Sequence, residues 1–240
     1  ELRSELSRIQ AQLPPIRIGL TGTGRVATGA LDILNHLHIQ QLNPEELKDA
    51  QPASAVFVNF RNEDIYTRTD DPAAPWDVHH FYHHHENYTS QFQPYLNRID
   101  LLINGFYWEP TLPALFAKED TAKPNFAIKV IADITCDVEG SVPITLRATY
   151  PHDPTFGWNP ATQAECEPYQ PNTIDVMAVT VLPVELPADS SQEFGQSLLD
   201  EVIPLLIKGD QNEIIQRATI TENGHLTSNY QYLKDFVKGD

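Results

Sequence analysis

The sequence predicts an α/β protein, a parallel sheet wound on both faces by helices, on three observations. Short apolar runs suited to buried strands recur along the chain, at residues 16–20, 55–60, 99–105, 126–133 and 174–182. Between them lie stretches with helical spacing, clearest where Val26, Ala27, Ala30, Leu31, Leu34 and Leu37 recur at three- and four-residue steps. A glycine turn, Gly22-Thr23-Gly24, joins the first run to that helix. Alternating strands and helices build parallel sheets, because neighbouring parallel strands need a crossover and a helix supplies it.

Taken in order, residues 1–13 read as a helix with Leu2, Leu6, Ile9 and Leu13 on one stripe, stopped by Pro14-Pro15. It looks like a connector from something further upstream. The strand at 16–20 then runs into Gly22-Thr23-Gly24-Arg25-Val26-Ala27, which fits G-x-G-x-x-G/A with Ala27 at the third position. Gly22 permits a tight turn, Gly24 has no Cβ to hold a pyrophosphate off the backbone, and Ala27 lets the helix lie close to the strand. The free N–H groups at the helix start face the phosphates. A dinucleotide site of Rossmann type is the reading, and a ligand-free glycine turn is the alternative.

Asn43-Pro44-Glu45-Glu46 resembles a cap leading into a short helix to Ala50, and residues 55–60 form the second strand. That strand arrives later than the usual spacing of about 20 residues from the glycines to a ribose-binding acid. At its end stand Asn59, Arg61 and then Glu63-Asp64. A carboxylate would suit the ribose hydroxyls of NAD, while Arg61 could accommodate the 2′-phosphate of NADP, so both cofactors stay open.

Residues 70–76 are turn-like, and residues 77–96 carry His79, His80, His83, His84 and His85. On a helix, His79/His83 and His80/His84 would each share a face and could grip a metal. No cysteine lies near, and Glu86 does not complete an H-E-x-x-H, so a solvated His-rich helical surface is preferred and no metal site is expected. The run 99–105 ends in a polar tip at Asn104-Gly105, where ligands sit in open α/β sheets. Phe106-Tyr107-Trp108 reads as core filling, and residues 110–116 as the start of a helix. The strand at 126–133 ends in Asp133-Ile134-Thr135-Cys136-Asp137, followed by Gly140-Ser141. Such a tail could hydrogen-bond a ribose or hold a substrate ammonium, or it could be a turn with helix-cap residues. Residues 145–171 are proline-rich and read as loop, and 174–182 as the final strand. A helix follows over 187–203, then two short ones at 212–217 and 230–237 around a turn at Asn223-Gly224.

Composition narrows the function. The chain's 240 residues can hold one large or two small domains, and 41% hydrophobic with 20% charged residues is ordinary for a globular protein. A net charge of −17 argues against a nucleic-acid or anionic-membrane partner, although a local basic pocket for phosphate remains compatible with it. No apolar run approaches the length of a membrane span. Two cysteines, Cys136 and Cys166, make no disulfide framework, so a cytoplasmic location is expected. The chain opens on Glu1 rather than Met, and is therefore expected to be a fragment or a processed product.

Several passages together resemble the C-terminal, nucleotide-binding half of the lysine–ketoglutarate reductase/saccharopine dehydrogenase family. They are Gly22-Thr23-Gly24-Arg25-Val26 with Gly29-Ala30, Leu102-Ile103-Asn104-Gly105-Phe106-Tyr107-Trp108, and Ile131-Ala132-Asp133-Ile134-Thr135-Cys136-Asp137 with Gly140-Ser141. To these add Leu182-Pro183-Val184-Glu185-Leu186-Pro187 with Phe194-Gly195, and Ile220-Thr221-Glu222-Asn223-Gly224. The resemblance implies an oxidoreductase of lysine metabolism acting on the C–N bond that joins lysine and 2-oxoglutarate in saccharopine, with NAD or NADP as cofactor. By the same carry-over, Gly24 and Arg25 would line the pyrophosphate with Val26 among the cofactor-binding residues beside them, Asn104 and Gly105 would lie near the nicotinamide ribose, and Ile134, Thr135, Cys136 and Asp137 would wall the cofactor. The histidine cluster falls on what is a surface helix in the family. The family's lysine and histidine acid/base pair belongs to an N-terminal domain, so no residue of this chain inherits a catalytic role. The chain alone is expected to be inactive and to need that domain as its partner.

The expected organisation is a connector helix at 1–13, a dinucleotide-binding domain at 14–185, and a helical segment at 186–240 that packs back toward the N-terminal domain. A non-catalytic module that senses nicotinamide nucleotide is the competing function, and an alanine-dehydrogenase-like amino-acid dehydrogenase a third.

Overall fold

The computed structural model describes residues 2–239, and within it the chain divides into two compact units, Glu1–Val181 and Leu182–Asp240. No helix among the described residues is long and apolar enough to cross a membrane.

The first unit is built on an eight-stranded sheet. Its members are β1 (Arg17–Thr21), β2 (Gln40–Leu42), β3 (Val56–Phe60), β6 (Leu101–Asn104), β7 (Val130–Asp133), β8 (Thr155–Asn159), β9 (Ala164–Cys166) and β10 (Ile174–Met177). A separate antiparallel pair, β4 (Tyr66–Arg68) and β5 (Tyr88–Ser90), stands apart from it. The spatial order in the large sheet is β2-β3-β1-β6-β7-β10-β8-β9. All pairings from β2 to β10 are parallel, and β8 and β9 close the edge antiparallel. The Rossmann-type α/β architecture is therefore present, with an antiparallel edge added. From β1 the chain first runs out to the edge strand β2, returns to β3 beside β1, then crosses to the other side at β6. The reversal puts the switch point between β1 and β6, above their carboxyl ends, which is where such sheets take ligands.

Register sorts the core into two layers. Ile18 lies beside Phe57 and Leu101, and Leu20 beside Ile103, so these side chains share one face. There α2 (Arg25–His36) covers Ile18, Leu20 and Phe57 with Ala27 and Leu34, and Leu6 of α1 (Leu2–Gln10) joins the same cluster. The Leu2 side chain of the expected stripe lies outside the described residues. On the opposite face Val58, Phe60, Leu102, Ile131, Val176 and Phe156 pack with the aromatic rings of Phe81, Phe92 and Tyr95. Phe60 meets Phe92 edge-on at 5.1 Å between ring centres. Each fully buried aromatic or aliphatic side chain contributes about 1.5–3 kcal/mol, so this layer is the larger source of stability.

Local chemistry sets the helix limits. α3 (Pro44–Asp49) starts with Asn43, whose N–H donates to Glu46 at 2.7 Å, as the cap pattern predicts. α4 (Asn62–Ile65) is a single turn after β3, and α5 (Val78–His83) is capped by Asp77, which accepts from the His79 and His80 N–H groups. α5 ends where His84 leaves helical geometry (φ −139°, ψ 53°), so only His79, His80 and His83 of the cluster stand on this helix, and His84 and His85 fall in the irregular turns before β5.

Two further expectations are corrected. Residues 110–116 form turns rather than a helix, with Pro110 and Pro113 withholding two backbone donors. The supposed loop at 145–171 contains β8 and β9, whose inward residues Phe156 and Trp158 alternate between flanking prolines. The edge strand β2 and the β4–β5 pair also went unpredicted.

The second unit is helical with one hairpin. α6 (Pro187–Ser197) passes through a π turn at Leu198–Val202 into α7 (Ile203–Lys208), so the helix extends beyond the expected 203. Pro204 has no N–H for residue 200, and the wider turn absorbs the missing bond. α8 (Ile214–Ala218) and α9 (Lys234–Lys238) flank the hairpin β11 (Thr221–Glu222) and β12 (His225–Leu226). Asn223 (φ 50°) and Gly224 (φ 81°) make its two-residue turn, which needs left-handed backbone at both positions.

At the amino end of β1, the Arg17 N–H and Nε donate to Asp100 Oδ2 at 2.8 and 3.0 Å, and Nη2 donates to Oδ1 at 2.7 Å. Burial pushes the Asp100 carboxyl up, but the Arg17 donors outweigh it and hold the acid below its ordinary value. A depressed acid stabilises the fold above its unfolded value, about 4, and loses that contribution as pH falls through the folded one. The pair is partly exposed, so Asp100→Asn should cost only about 1 kcal/mol at pH 7. The gap between variant and parent should narrow by pH 3; urea melts at both pH values check this.

Candidate functional site

The carboxyl ends of β1, β6 and β7 are tied by one hydrogen-bonded row. Register sets Thr21 beside Asn104 and Asn104 beside Asp133. Thr21 Oγ1 donates to Asn104 Oδ1 at 2.7 Å, and Asn104 Nδ2 donates to Asp133 Oδ1 and Ser141 Oγ, both at 2.8 Å. Asp133 also accepts from Thr135 Oγ1 at 2.7 Å and Thr145 Oγ1 at 2.6 Å. All of Thr21, Asn104, Asp133, Ser141 and Thr145 are buried. Burial raises the Asp133 pKa, the three side-chain donors pull the other way, and the net direction is upward. No cation pairs with it among the described residues, so its carboxylate depends on those donors.

Above this row the glycine turn takes its form. Gly22 has φ +102°, and a Cβ there would lie 2.8 Å from both Gly105 O and Phe106 Cα. Only glycine fits. Its N–H reaches across to Phe60 O at 2.9 Å. Gly24 caps α2 in extended geometry (φ −82°), and a Cβ there would meet nothing within 4 Å. The absent side chain at Gly24 thus leaves open space rather than relieving an internal clash. At the helix start the first N–H groups lack intrahelical acceptors. Arg25 is exposed and makes no ion pair among the described residues, unlike most cations of this acidic chain.

These parts enclose a cavity of about 410 Å³, walled by Gly24-Arg25-Val26, Gly105-Phe106-Tyr107-Trp108, and Ile134, Thr135 and Asp137. Gly24, Arg25, Val26, Gly105, Ile134, Thr135 and Asp137 were all expected at a site, and the fold brings them together. The remaining expected residues are placed otherwise. Gly22 sits behind the wall. Asn104 lies beneath it, with its side chain fully engaged in the buried row. Cys136 takes left-handed backbone (φ 57°) and turns its thiol to Asp133 O at 3.4 Å; burial pushes that thiol up to about 11. Asn59 and Arg61 stand at the tip of β3. Asn59 Oδ1 is buried with no partner among the described residues, and Arg61 pairs with Glu63 at 2.8 Å and Asp64 at 3.5 Å.

Three sequence assignments change. Tyr107 is 65% exposed and lines the cavity instead of the core, whereas the buried Phe106 and the half-buried Trp108 pack with the core and also contribute to the cavity wall. Val26, placed on the buried stripe by its spacing, is 47% exposed and faces the cavity. His85, expected on a solvated surface, is buried and bonds Thr111 Oγ1 through Nδ1 at 2.8 Å. Among the described residues no three His, Cys, Asp or Glu side chains converge to hold a metal.

Two measurements check this geometry. Gly24→Val should leave the melting temperature near that of the parent, because its side chain enters open space, while abolishing calorimetric binding of any nucleotide in the cavity. Asp133→Ala should lose about 2–4 kcal/mol in urea unfolding, because Asn104 and Thr145 would keep buried donors without an acceptor. A loss under about 0.5 kcal/mol would show that water replaces the carboxylate.

No family model matches the chain. It is similar to alpha-aminoadipic semialdehyde synthase of Arabidopsis thaliana, 30% identical over 250 residues, covering 94% of this chain and 23% of that protein. The mitochondrial alpha-aminoadipic semialdehyde synthase of Mus musculus is 26% identical over 263 residues, covering 95% of this chain and 28% of the relative. Saccharopine dehydrogenase (NAD(+), L-lysine-forming) of Schizosaccharomyces pombe is 23% identical over 211 residues, covering 85% and 45%. The chain thus spans less than half the length of each of these relatives. Similarity to these relatives runs through nearly all of the chain, and their names, alpha-aminoadipic semialdehyde synthase and saccharopine dehydrogenase, support the lysine–ketoglutarate reductase/saccharopine dehydrogenase family for it.

Proposed function

We propose that this chain is the nicotinamide-nucleotide-binding half of an oxidoreductase of lysine metabolism, acting at the C–N bond of saccharopine in either direction. The observation that carries the proposal is the cavity at the β1/β6 switch point, open at Gly24 and flanked by the unpaired Arg25. Open space where a side chain would project, free helix N–H groups and a guanidinium suit a pyrophosphate. The nicotinamide, when bound, supplies the hydride acceptor or donor. Gly24 and Arg25 hold the phosphates, and Gly105 lets the strand tip approach closely, since a Cβ there would lie 3.1 Å from Val26 Cγ1. Tyr107 and Trp108 supply apolar wall that excludes water from one side, and Thr135, fixed through Asp133, presents the floor.

At the tip of β3 the two cofactor forms meet different groups. The part-buried Asn59 can accept from a ribose hydroxyl, as NAD offers, once its amide turns Oδ1 out of its buried setting. Arg61 can take a 2′-phosphate, as NADP offers, by leaving Glu63 and Asp64. Arg61→Ala should therefore weaken NADP at least tenfold if that guanidinium is used, and leave NAD unchanged.

Among the described residues no lysine or histidine lines the cavity. Proton transfer to and from the amine therefore falls to a further domain, the N-terminal catalytic domain of the family resemblance, which would also hold the carboxylates of lysine, 2-oxoglutarate or saccharopine. We read residues 186–240 as the segment that packs toward it. The free thiols of Cys136 and Cys166 support a reducing compartment, which we take to be the cytoplasm, although the mouse relative carries mitochondrial in its name. The same lack of an acid/base pair also favours a second reading, a module that binds nicotinamide nucleotide without turning it over.

General acid–base catalysis contributes about 10²–10⁴ in rate, and lost substrate positioning costs further. The isolated chain should therefore bind NAD or NADP by calorimetry yet give no nicotinamide absorbance change with saccharopine, or with lysine and 2-oxoglutarate. Turnover at an ordinary enzymatic rate would show it to be complete. Restored turnover on adding the upstream domain would separate the enzyme half from the sensor.

A further inference from the structure

Arg25 accounts for one side of the cavity; the other carries a charge that the phosphates do not explain. Asp137 lies in the wall beyond β7, two strands from β1, which is about 10 Å across the sheet. Its side chain is half-buried and accepts no hydrogen bond among the described residues, and it makes no ion pair there. The fold nevertheless builds a place for it. A Cβ on Gly140 would lie 2.6 Å from Asp137 Cβ and 3.3 Å from Trp108 Cε3, so the bare Gly140 lets the acid and the indole close on the same spot. Tyr107 stands in the same wall, where the Glu109 carboxylate raises its phenol above the ordinary value. The nearby Lys118 is already engaged with Glu139.

The geometry points to a cation-selective end of this cavity, where the Asp137 carboxylate and the Trp108 and Tyr107 rings receive a single positive charge of the bound reactants. Resting on the nucleotide reading above, it assigns the two ends of the cavity opposite charge preferences: phosphate at Arg25, monocation at Asp137. Aromatic faces beside a carboxylate attract organic cations, and removal of water strengthens the attraction. Two sources share that chemistry in a reaction at a C–N bond. One is the pyridinium of oxidised nicotinamide, whose charge vanishes on reduction. The other is the ammonium of the amine substrate. Asp133, the other acid at this strand end, is excluded by its burial and its three internal donors.

The test uses the whole chain and calorimetry with NAD⁺, NADH, NADP⁺ and NADPH, followed by L-lysine titrated into the complex with the reduced form. If the pyridinium is the guest, the oxidised forms bind more tightly than the reduced ones. Asp137→Asn then weakens the oxidised forms about three- to tenfold and spares the reduced. If the ammonium is the guest, the oxidised-to-reduced ratio stays constant and lysine binding falls by a similar factor. Gly140→Ala, which pushes Asp137 and Trp108 apart, should shift the same quantity in the same direction. Melting temperatures taken alongside exclude unfolding. Nucleotide binding that persists with neither quantity changed in Asp137→Asn overturns the subsite alone. A parent chain that binds no nucleotide overturns the nucleotide reading and the subsite with it.

Discussion

The row Thr21–Asn104–Asp133 is the constraint on which the site depends. Three adjacent parallel strands end at the same level, and their last inward side chains are polar rather than apolar. Each is buried, so each must be satisfied from within, and the row does so by passing hydrogen bonds from β1 to β6 to β7. The consequence reaches upward. With Asn104 fixed, Gly105 is held against the start of α2, and the Gly105 N–H reaches Thr21 O at 3.2 Å. With Gly105 and Phe106 fixed, residue 22 has room only for glycine. The shape of the glycine turn is thus enforced from below by a buried carboxylate two strands away.

Electrostatics divides the molecule in a similar way. The chain is strongly acidic, and most of its cations are spent on neighbouring carboxylates, as Arg17 is on Asp100 and Arg68 on Asp70. Against that background a free guanidinium at a helix amino terminus gains weight, because the helix N–H groups add to its field where an anion would sit. The acidic surface discourages polyanions in general, while one concave spot admits a small one.

The fold was legible where a local steric rule decides the outcome. Gly22, Gly24 and Ala27 announced a strand–turn–helix, Asn43 with Glu46 announced a cap, and Asn223-Gly224 announced a two-residue turn. It was illegible where context decided. Phe156 and Trp158 alternate as strand residues should, but Pro154 and Pro160 on either side read as loop. Tyr107 looks like core by composition, and only its place after β6 leaves it exposed in the cavity wall. Asn104 and Asp133 looked ligand-facing because they end strands. The corrective signal was present in the alternation, since Asn104 shares parity with the buried Leu102, and Asp133 with Ile131. The Asp133–Asp137 tail was open between ligand contact and structural turn; Asp133 takes the structural part, and Asp137 is left in the cavity wall.

The central claim is that a nicotinamide nucleotide occupies the cavity over the β1, β6 and β7 tips. Amide chemical-shift mapping of the isotope-labelled chain on titration with NAD⁺ tests it residue by residue. The largest shifts should fall on Gly22, Gly24, Arg25 and Val26, on Gly105 and Trp108, and on Thr135 and Asp137, with the hairpin at β11–β12 unmoved. Shifts gathered around that hairpin instead, or spread evenly along the chain, would contradict it.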